Sequence, residues 1–147
     1  MRAHPGMRAQ RYRIFGIVLS CDFPLPELPP AAAGEVVLSI ALAGDAAPAL
    51  DGFERVHEWA GPGAQAACWC ERRGGDYLFV FPGFVRYLVG ENDHILCLPE
   101  PGCDLSTLRH LLLNQVVPRA LGTRGRLIVH ASAVILPGSG RAVAFLG

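Results

Sequence analysis

Four short runs rich in β-branched and aromatic residues lie at intervals of about ten residues in the middle of the chain. The stretches between them are made largely of Gly, Pro, Asn, Asp and Arg, and most of these residue types favour turns. Because a tight turn returns the chain alongside the strand it has just left, such runs form consecutive antiparallel strands. The sequence therefore predicts an antiparallel meander over residues 66–71, 77–81, 84–89 and 94–98.

Three further strands are predicted before the meander, at residues 11–20, 35–42 and 53–59. The proline-rich run 24–30 lies between the first two, and each proline removes a backbone donor that a sheet interior would need. We expect this run to cross the surface as polyproline II, with Leu25 and Leu28 pinned onto the core. The alternative is that it serves as a ligand for an aromatic groove on another protein.

One helix is predicted after the meander, because leucines and valines recur there at helical spacing. Asp104 or Ser106 can cap its first turn through a side-chain oxygen. Pro118 lacks the N–H that would bond to Asn114, so we expect a kink or a break near that residue. Gly122 or Gly125 then ends the helix.

Charge and composition narrow the class of protein. The chain has 147 residues, 51% of them hydrophobic, which fits one ordinary globular domain. Thirteen acidic residues balance thirteen basic ones, which argues against a protein that binds nucleic acid or a membrane surface through net charge. Every basic residue is Arg, so the chain contains no lysine for a Schiff base or a phosphate-binding loop.

The cysteines and histidines predict neither a disulfide framework nor a metal site. Five cysteines are an odd number, and Cys68 and Cys70 have a spacing that does not match a zinc motif. The five histidines are scattered along the chain, so we expect structural thiols and no bound metal. No apolar run reaches the roughly 18 residues that a membrane span requires, and we expect a soluble cytoplasmic protein.

The last stretch of the chain contains two apolar runs, 127–136 and 142–146, joined by a Pro-Gly-Ser-Gly cluster. Such a pattern predicts two buried strands with a tight connection. The second run ends at Gly147. A phosphate-binding loop of the G-x-x-x-x-G-K-[ST] type also begins with a glycine directly after a buried strand. Spacing alone gives only weak support for such a loop.

The same stretch resembles a known family. The sequences RLIVHASAV at 126–134 and GRAVAFLG at 140–147 look like the segment that leads into the Walker A loop of HPr kinase-like proteins. These are bacterial serine kinases with a phosphoenolpyruvate-carboxykinase-like P-loop core. A looser similarity to the small amino-terminal region of that family covers much of the rest, including residues 12–20 and 25–29.

The resemblance implies an α+β fold. A small β-rich antiparallel domain plus one helix would lead into the first strands of a truncated phosphoenolpyruvate-carboxykinase-like P-loop core. The expected divisions are a disordered start at 1–10, a β-rich amino-terminal domain at 11–103, a connecting helix at 104–125 and the first core strands at 126–147. The chain would then be the amino-terminal part of an ATP-dependent protein or peptide serine kinase.

Two residues carry the site that the resemblance implies. His130 would be catalytic, because the family places a histidine near the nucleotide phosphates, and Ser132 would lie on the same strand face as a minor polar neighbour. Gly147 would begin the nucleotide-binding loop. The parent enzyme would use ATP and Mg²⁺ and phosphorylate a serine of an HPr-like protein or of a peptide precursor. This chain lacks the Walker A lysine and the catalytic acid, so we expect it to be inactive and to bind no cofactor tightly.

Two alternatives come from other classes. The chain could be a non-enzymatic β-rich binding or adaptor domain, which predicts a closed monomer without an exposed apolar strand at 142–146. A small-molecule enzyme that uses His130 with Cys97 or Cys103 has no spacing signature behind it. If the core strands lack their neighbours, the strand that contains Val143 and Phe145 has an unpaired edge. Because an unpaired apolar strand edge tends to pair with another chain, it would favour a homo-oligomer.

Overall fold

The computed structural model describes residues 9–44, 47–61, 66–129 and 131–146. It has the expected α+β class: a large β-sheet, one interrupted helix packed against it, and a separate hairpin. The eight strands of the sheet are β1 Gln10–Ile14, β2 Ile17–Cys21, β3 Val36–Leu42, β4 Glu54–Ala60, β5 Ala66–Arg73, β6 Asp76–Phe81, β7 Val85–Val89 and β8 His94–Pro99. They are followed by α1 Leu105–Leu111, a π-helical turn Leu112–Val116, α2 Val117–Gly122 and the hairpin strands β9 Ala131–Ile135 and β10 Ala142–Leu146.

The sheet is mixed, with the strand order β1-β2-β3-β8-β7-β6-β5-β4. The predicted meander is confirmed, since β5 to β8 pair in sequence and antiparallel. The prediction of an antiparallel domain is wrong for β3, which runs parallel to both β2 and β8. Parallel neighbours cannot be joined by a tight turn, and here long crossovers link β2 to β3 and β3 to β8.

The single strand predicted at 11–20 is wrong, because the chain folds back within it. β1 and β2 form an antiparallel hairpin in which Ile14 pairs with Ile17. The two turn residues, Phe15 and Gly16, have φ of 50° and 74°. Positive φ at both central residues is typical of one kind of two-residue hairpin turn. Phe is an unusual choice there, and the apolar residues on either side hide the turn in the sequence.

The proline-rich run pins two leucines onto the core, as predicted. Leu25 is fully buried and Leu28 packs against the core at partial exposure. The run is not polyproline II throughout, because the N–H of Leu28 donates to the carbonyl of Leu25 at 3.1 Å and closes a turn. Further on, the N–H of Arg13 donates to the carbonyl of Pro29 at 3.0 Å, so the end of the run covers the outer edge of β1.

The helical segment begins and ends as the sequence indicates. Asp104 is the N-cap, and its carboxylate accepts the backbone N–H of Thr107 at 2.9 Å. The irregularity expected before Pro118 is the π-helical turn, whose last bond runs from the N–H of Val117 to the carbonyl of Leu112. Gly125 ends the segment with φ of 74°.

One hydrophobic core joins the helical segment to one face of the sheet. Tyr87, on the central strand β7, is fully buried, and its hydroxyl donates to the carbonyl of Leu108 at 2.6 Å. Each fully buried leucine or valine stabilises the fold by about 1.5–3 kcal/mol before conformational entropy is counted. The fully buried side chains contributed by the helical segment are Leu108, Leu112, Val116, Val117, Ala120 and Leu121.

The β9–β10 hairpin forms a two-stranded sheet of its own. The predicted strand at 142–146 is confirmed, whereas the strand predicted at 127–136 begins only at Ala131 among the described residues. The prediction that these two strands are buried is wrong, because every described side chain of β9 and β10 is exposed and no other described element covers them. In the described residues, no helix is both long and apolar enough to cross a membrane.

Candidate functional site

Both residues of the site predicted from the sequence, His130 and Gly147, lie outside the described residues. Ser132, proposed as a neighbour of His130, is exposed on β9 and pairs with Phe145 of β10. The hairpin that carries these positions is therefore the first candidate site. Its chemistry can be judged from the side chains around them.

Both faces of the hairpin are apolar. Because directly paired residues share a face, Val134 and Val143 lie with Phe145 on one side, and Ile135 lies on the other side with several alanines. Ile135 is 75% exposed and Phe145 is 60% exposed. A two-stranded sheet with apolar residues on both faces has the pattern of strands that are covered on both sides.

A depression of about 740 Å³ connects the helical segment to the start of this hairpin. Leu113 and Pro118 form its helical side, and Leu127 and Val129 form the side of the chain that leads to β9. Phe15, at the β1–β2 turn, also lines it. The depression therefore continues the exposed apolar surface of the hairpin onto the sheet–helix unit.

A second candidate site is a groove between α1 and the turn that joins β6 to β7, with a volume of about 600 Å³. We call it the α1 groove. Its sheet side is apolar and consists of Ala67, Cys68, Phe81 and Phe84. Phe84 is 50% exposed although its backbone is held at both ends: its N–H donates to the carbonyl of Phe81 at 3.1 Å, and its carbonyl accepts the N–H of Glu100 at 2.8 Å.

The helical side of the α1 groove is mainly polar and consists of Ser106, Thr107, His110, Leu111 and Gln115. The hydroxyl of Thr107 donates to the carboxylate of the N-cap Asp104 at 2.7 Å. The hydrogen bonds from Thr107 hold the pKa of Asp104 below its usual value of 3.8, so the carboxylate stays charged at neutral pH. One end of the groove therefore carries a fixed negative charge.

A positive charge lies beside the Gln115 end of the α1 groove, on Arg119, which itself lines the first depression. The guanidinium of Arg119 donates to the side-chain oxygen of Gln115 at 2.7 Å and to its carbonyl at 2.6 Å. It also stacks over the ring of Trp59 at 4.4 Å. These contacts fix the orientation of Arg119, because they restrain its guanidinium from two sides.

Burial raises the pKa of all five thiols, including Cys103, above the usual 9.0, so each favours its protonated form at neutral pH. All five cysteines are free, and burial raises the pKa of Cys21 to about 12 and that of Cys70 to about 11. Cys97, named above as a partner for His130, is fully buried and has its pKa raised well above the usual 9.0 by that burial. Among the described residues, no group of three metal-ligating side chains lies close enough to hold a metal ion.

One serine–histidine pair lies on the sheet face that α1 does not cover. The hydroxyl of Ser39 is 2.9 Å from Nδ1 of His94. A catalytic triad needs a carboxylate on the other ring nitrogen, and none bonds to His94 within the described part of the chain. The nearby Asp22 carboxylate instead accepts the N–H of Leu42 at 3.1 Å. This arrangement is a cross-strand polar contact.

Comparisons of the chain with protein-family models, with curated proteins and with solved structures found no match. The functional proposal therefore rests on the residues of the chain. The apolar runs of the hairpin are visible in the sequence, whereas the roles given to its residues stay predictions. The α1 groove was not predicted, although Ser106, Thr107 and His110 recur at helical spacing and indicate a polar helix face.

Proposed function

We propose that the chain is the amino-terminal part of an HPr kinase-like, ATP-dependent serine kinase that acts on a protein or a peptide. The observation that carries this proposal is the exposure of apolar residues on both faces of the β9–β10 hairpin. An isolated two-stranded hairpin is marginally stable in water, and large exposed apolar patches mark surfaces that another element covers. Strands that are apolar on both faces are typical of α/β cores, to which P-loop kinases belong.

In this proposal β9 and β10 are the first strands of a phosphoenolpyruvate-carboxykinase-like core. By resemblance, His130 would stabilise charge near the transferred phosphoryl group, and Gly147 would open the loop that binds the ATP phosphates. Mg²⁺ would neutralise charge on the β- and γ-phosphates. Because this chain contains no lysine, it does not supply the Walker A lysine, and we expect no phosphoryl transfer from these residues alone.

A non-enzymatic binding domain is the second candidate, and a different observation favours it. The sheet and the helical segment share one hydrophobic core, which contains fully buried residues such as Leu19, Leu38 and Ile95. A unit with its own core can fold and bind a partner without nucleotide chemistry. The closed monomer expected for such a domain, without an exposed apolar strand at 142–146, is contradicted by Val143 and Phe145, which are 41% and 60% exposed. A partner or a second copy of the chain would have to cover the hairpin.

Calorimetric titration with ATP and Mg²⁺ separates the two candidates. The chain is titrated beside a version extended by the residues that its gene encodes after Gly147. The kinase proposal predicts that only the extended protein binds ATP, and that replacing the loop lysine of the extension abolishes binding. A reading frame that ends at Gly147, or an extended protein that binds no nucleotide, contradicts the kinase proposal and leaves the binding domain. Sedimentation of the unextended chain then shows whether a second copy covers the hairpin.

A further inference from the structure

We propose that the α1 groove binds an extended peptide segment of a partner protein, with one aromatic side chain of the peptide placed between a basic and an acidic residue. The groove lies entirely within the sheet–helix unit, so this inference does not depend on nucleotide chemistry or on the hairpin. It applies to a kinase and to a binding domain alike.

The apolar side of the groove offers a surface on which an aromatic side chain can pack. Its volume of about 600 Å³ is within the range of small-ligand pockets, but the groove is open to water along its length. Phe84 stands at its rim, half exposed, on a backbone that is fixed by two hydrogen bonds. An aromatic residue held in this way can contact a second ring without losing much conformational freedom. Aromatic residues that anchor protein interfaces have this property.

The charges around the groove select the flanking residues of the peptide. No Arg, Asp or Glu lines the groove itself. Asp104 and Glu100 lie at the Thr107 and Phe84 end, and Arg119 lies at the Gln115 end. The ion pairs found within the described ranges are Arg55–Glu58, Arg109–Glu27 and Arg124–Asp93, so none of the three groove charges is paired there.

The distance between the charged ends indicates how far apart the flanking residues should be. Thr107 and Gln115 are eight residues apart on the helical segment, which corresponds to about 12 Å at 1.5 Å per residue. An extended peptide advances about 3.3 Å per residue, so its two charges should be about four residues apart. A basic residue would face Asp104 and Glu100, and an acidic residue would face Arg119.

The test is a titration of the ¹⁵N-labelled protein, followed by NMR, with the blocked peptides Lys-Gly-Phe-Gly-Glu and Glu-Gly-Phe-Gly-Lys. We expect one of them to bind saturably with a Kd of about 1 mM or below, and to shift the amides of Phe84, Thr107 and His110. The variant Phe84→Ala should weaken binding about tenfold, as expected for loss of an aromatic anchor. Phe15→Ala is the matched control, because Phe15 is 55% exposed at another turn, and it should leave binding unchanged.

Further peptides test the chemistry of recognition. Replacing the central Phe by Gly should abolish saturable shifts, and replacing both charged residues by Gly should weaken binding at least about threefold. Arg119→Gln, with Phe84 left in place, should remove the preference for the charged peptide over the peptide in which both charged residues are Gly. The proposal is overturned if neither peptide saturates, if Phe15→Ala and Phe84→Ala act alike, or if N-acetyl-phenylalanine amide binds as tightly as the peptides. The last result would assign the groove to a small aromatic molecule.

Discussion

The eight-stranded sheet and the β9–β10 hairpin contain similar apolar residues, yet they place them in opposite environments. Leu19 and Ile95 in the sheet are fully buried, because the helical segment covers that face. Ile135 and Phe145 in the hairpin are mostly exposed, because in the described residues no element covers either face. An apolar strand pattern thus indicates that a strand needs a cover, and among the described residues only the sheet–helix unit provides one.

The two regions should therefore differ in stability. Burial contributes about 25 cal/mol for each Å² of apolar surface removed from water. The sheet–helix unit gains this contribution over a whole core, whereas the hairpin gains little beyond its own cross-strand contacts.

The largest effect is expected when a core leucine is truncated. Leu112→Ala should lower the free energy of unfolding by about 2–5 kcal/mol, because Leu112 is fully buried in the π-helical turn and its loss leaves a cavity. Leu127→Ala is the matched control in the exposed region. Leu127 is 87% exposed, and its truncation should change the free energy by no more than about 0.5 kcal/mol. Urea denaturation measures both, and equal losses would contradict the difference between the regions.

A smaller effect is expected from the bond that ties the helix to the sheet. Tyr87→Phe removes the hydroxyl that donates to the buried carbonyl of Leu108, and it should cost about 1–2 kcal/mol. Tyr77→Phe serves as the control, because the Tyr77 hydroxyl donates no hydrogen bond within the part of the chain that the structure describes. If the two variants unfold at the same urea concentration, the bond to Leu108 does not hold the helix on the sheet.

The smallest effects are expected in the pH dependence, with opposite signs for two carboxyl groups. Burial raises the pKa of Asp22 above 3.8 in the folded state, so the folded protein keeps this carboxyl protonated to a higher pH than the unfolded chain does. The contribution of Asp22 to the free energy of unfolding therefore falls as pH rises above 3.8. Bonding to Thr107 lowers the pKa of Asp104, so its contribution is present above 3.8 and is lost as pH falls below that value.

Urea midpoints measured from about pH 3 to about pH 7 check both signs. Relative to the unmodified chain, Asp22→Asn should gain stability as pH rises, because the amide keeps an acceptor for the N–H of Leu42 and carries no charge. Asp104→Ala should be most destabilising at neutral pH, and its difference from the unmodified chain should shrink as pH falls below 3.8. Parallel pH curves for the two variants would show that these groups do not titrate as described.

Local features of the fold were predictable from the sequence where a single residue determines the backbone hydrogen bonds of one turn. Asp104 caps the helix and Pro118 interrupts it, because a side-chain acceptor and a missing N–H act within one turn. The turn at Phe15 and Gly16 was not predictable, since an aromatic residue rarely adopts a positive φ. Gly16 fits its positive φ by local preference, whereas Phe15 does not.

Features that depend on distant residues were harder to predict. The period of β3 indicates a strand but does not say that its neighbours run parallel to it. The α1 groove combines Cys68, Phe84 and His110, which come from three separate elements, so the spacing of residues in the sequence indicates the polar helix face but not the groove. His130 and Gly147 were selected by resemblance, and their roles in the candidate site stay predictions.

Native-state hydrogen exchange can compare the stability of the sheet–helix unit with that of the β9–β10 hairpin, because it measures both regions in one experiment. We predict that amides in β3 and β8 exchange only through global unfolding, whereas amides in β9 and β10 exchange with almost no protection. That result would show a complete sheet–helix core beside a hairpin that lacks its cover. Hairpin amides that exchange as slowly as those of β3 would contradict the account, and the proposal that β9 and β10 belong to a larger core would lose its support.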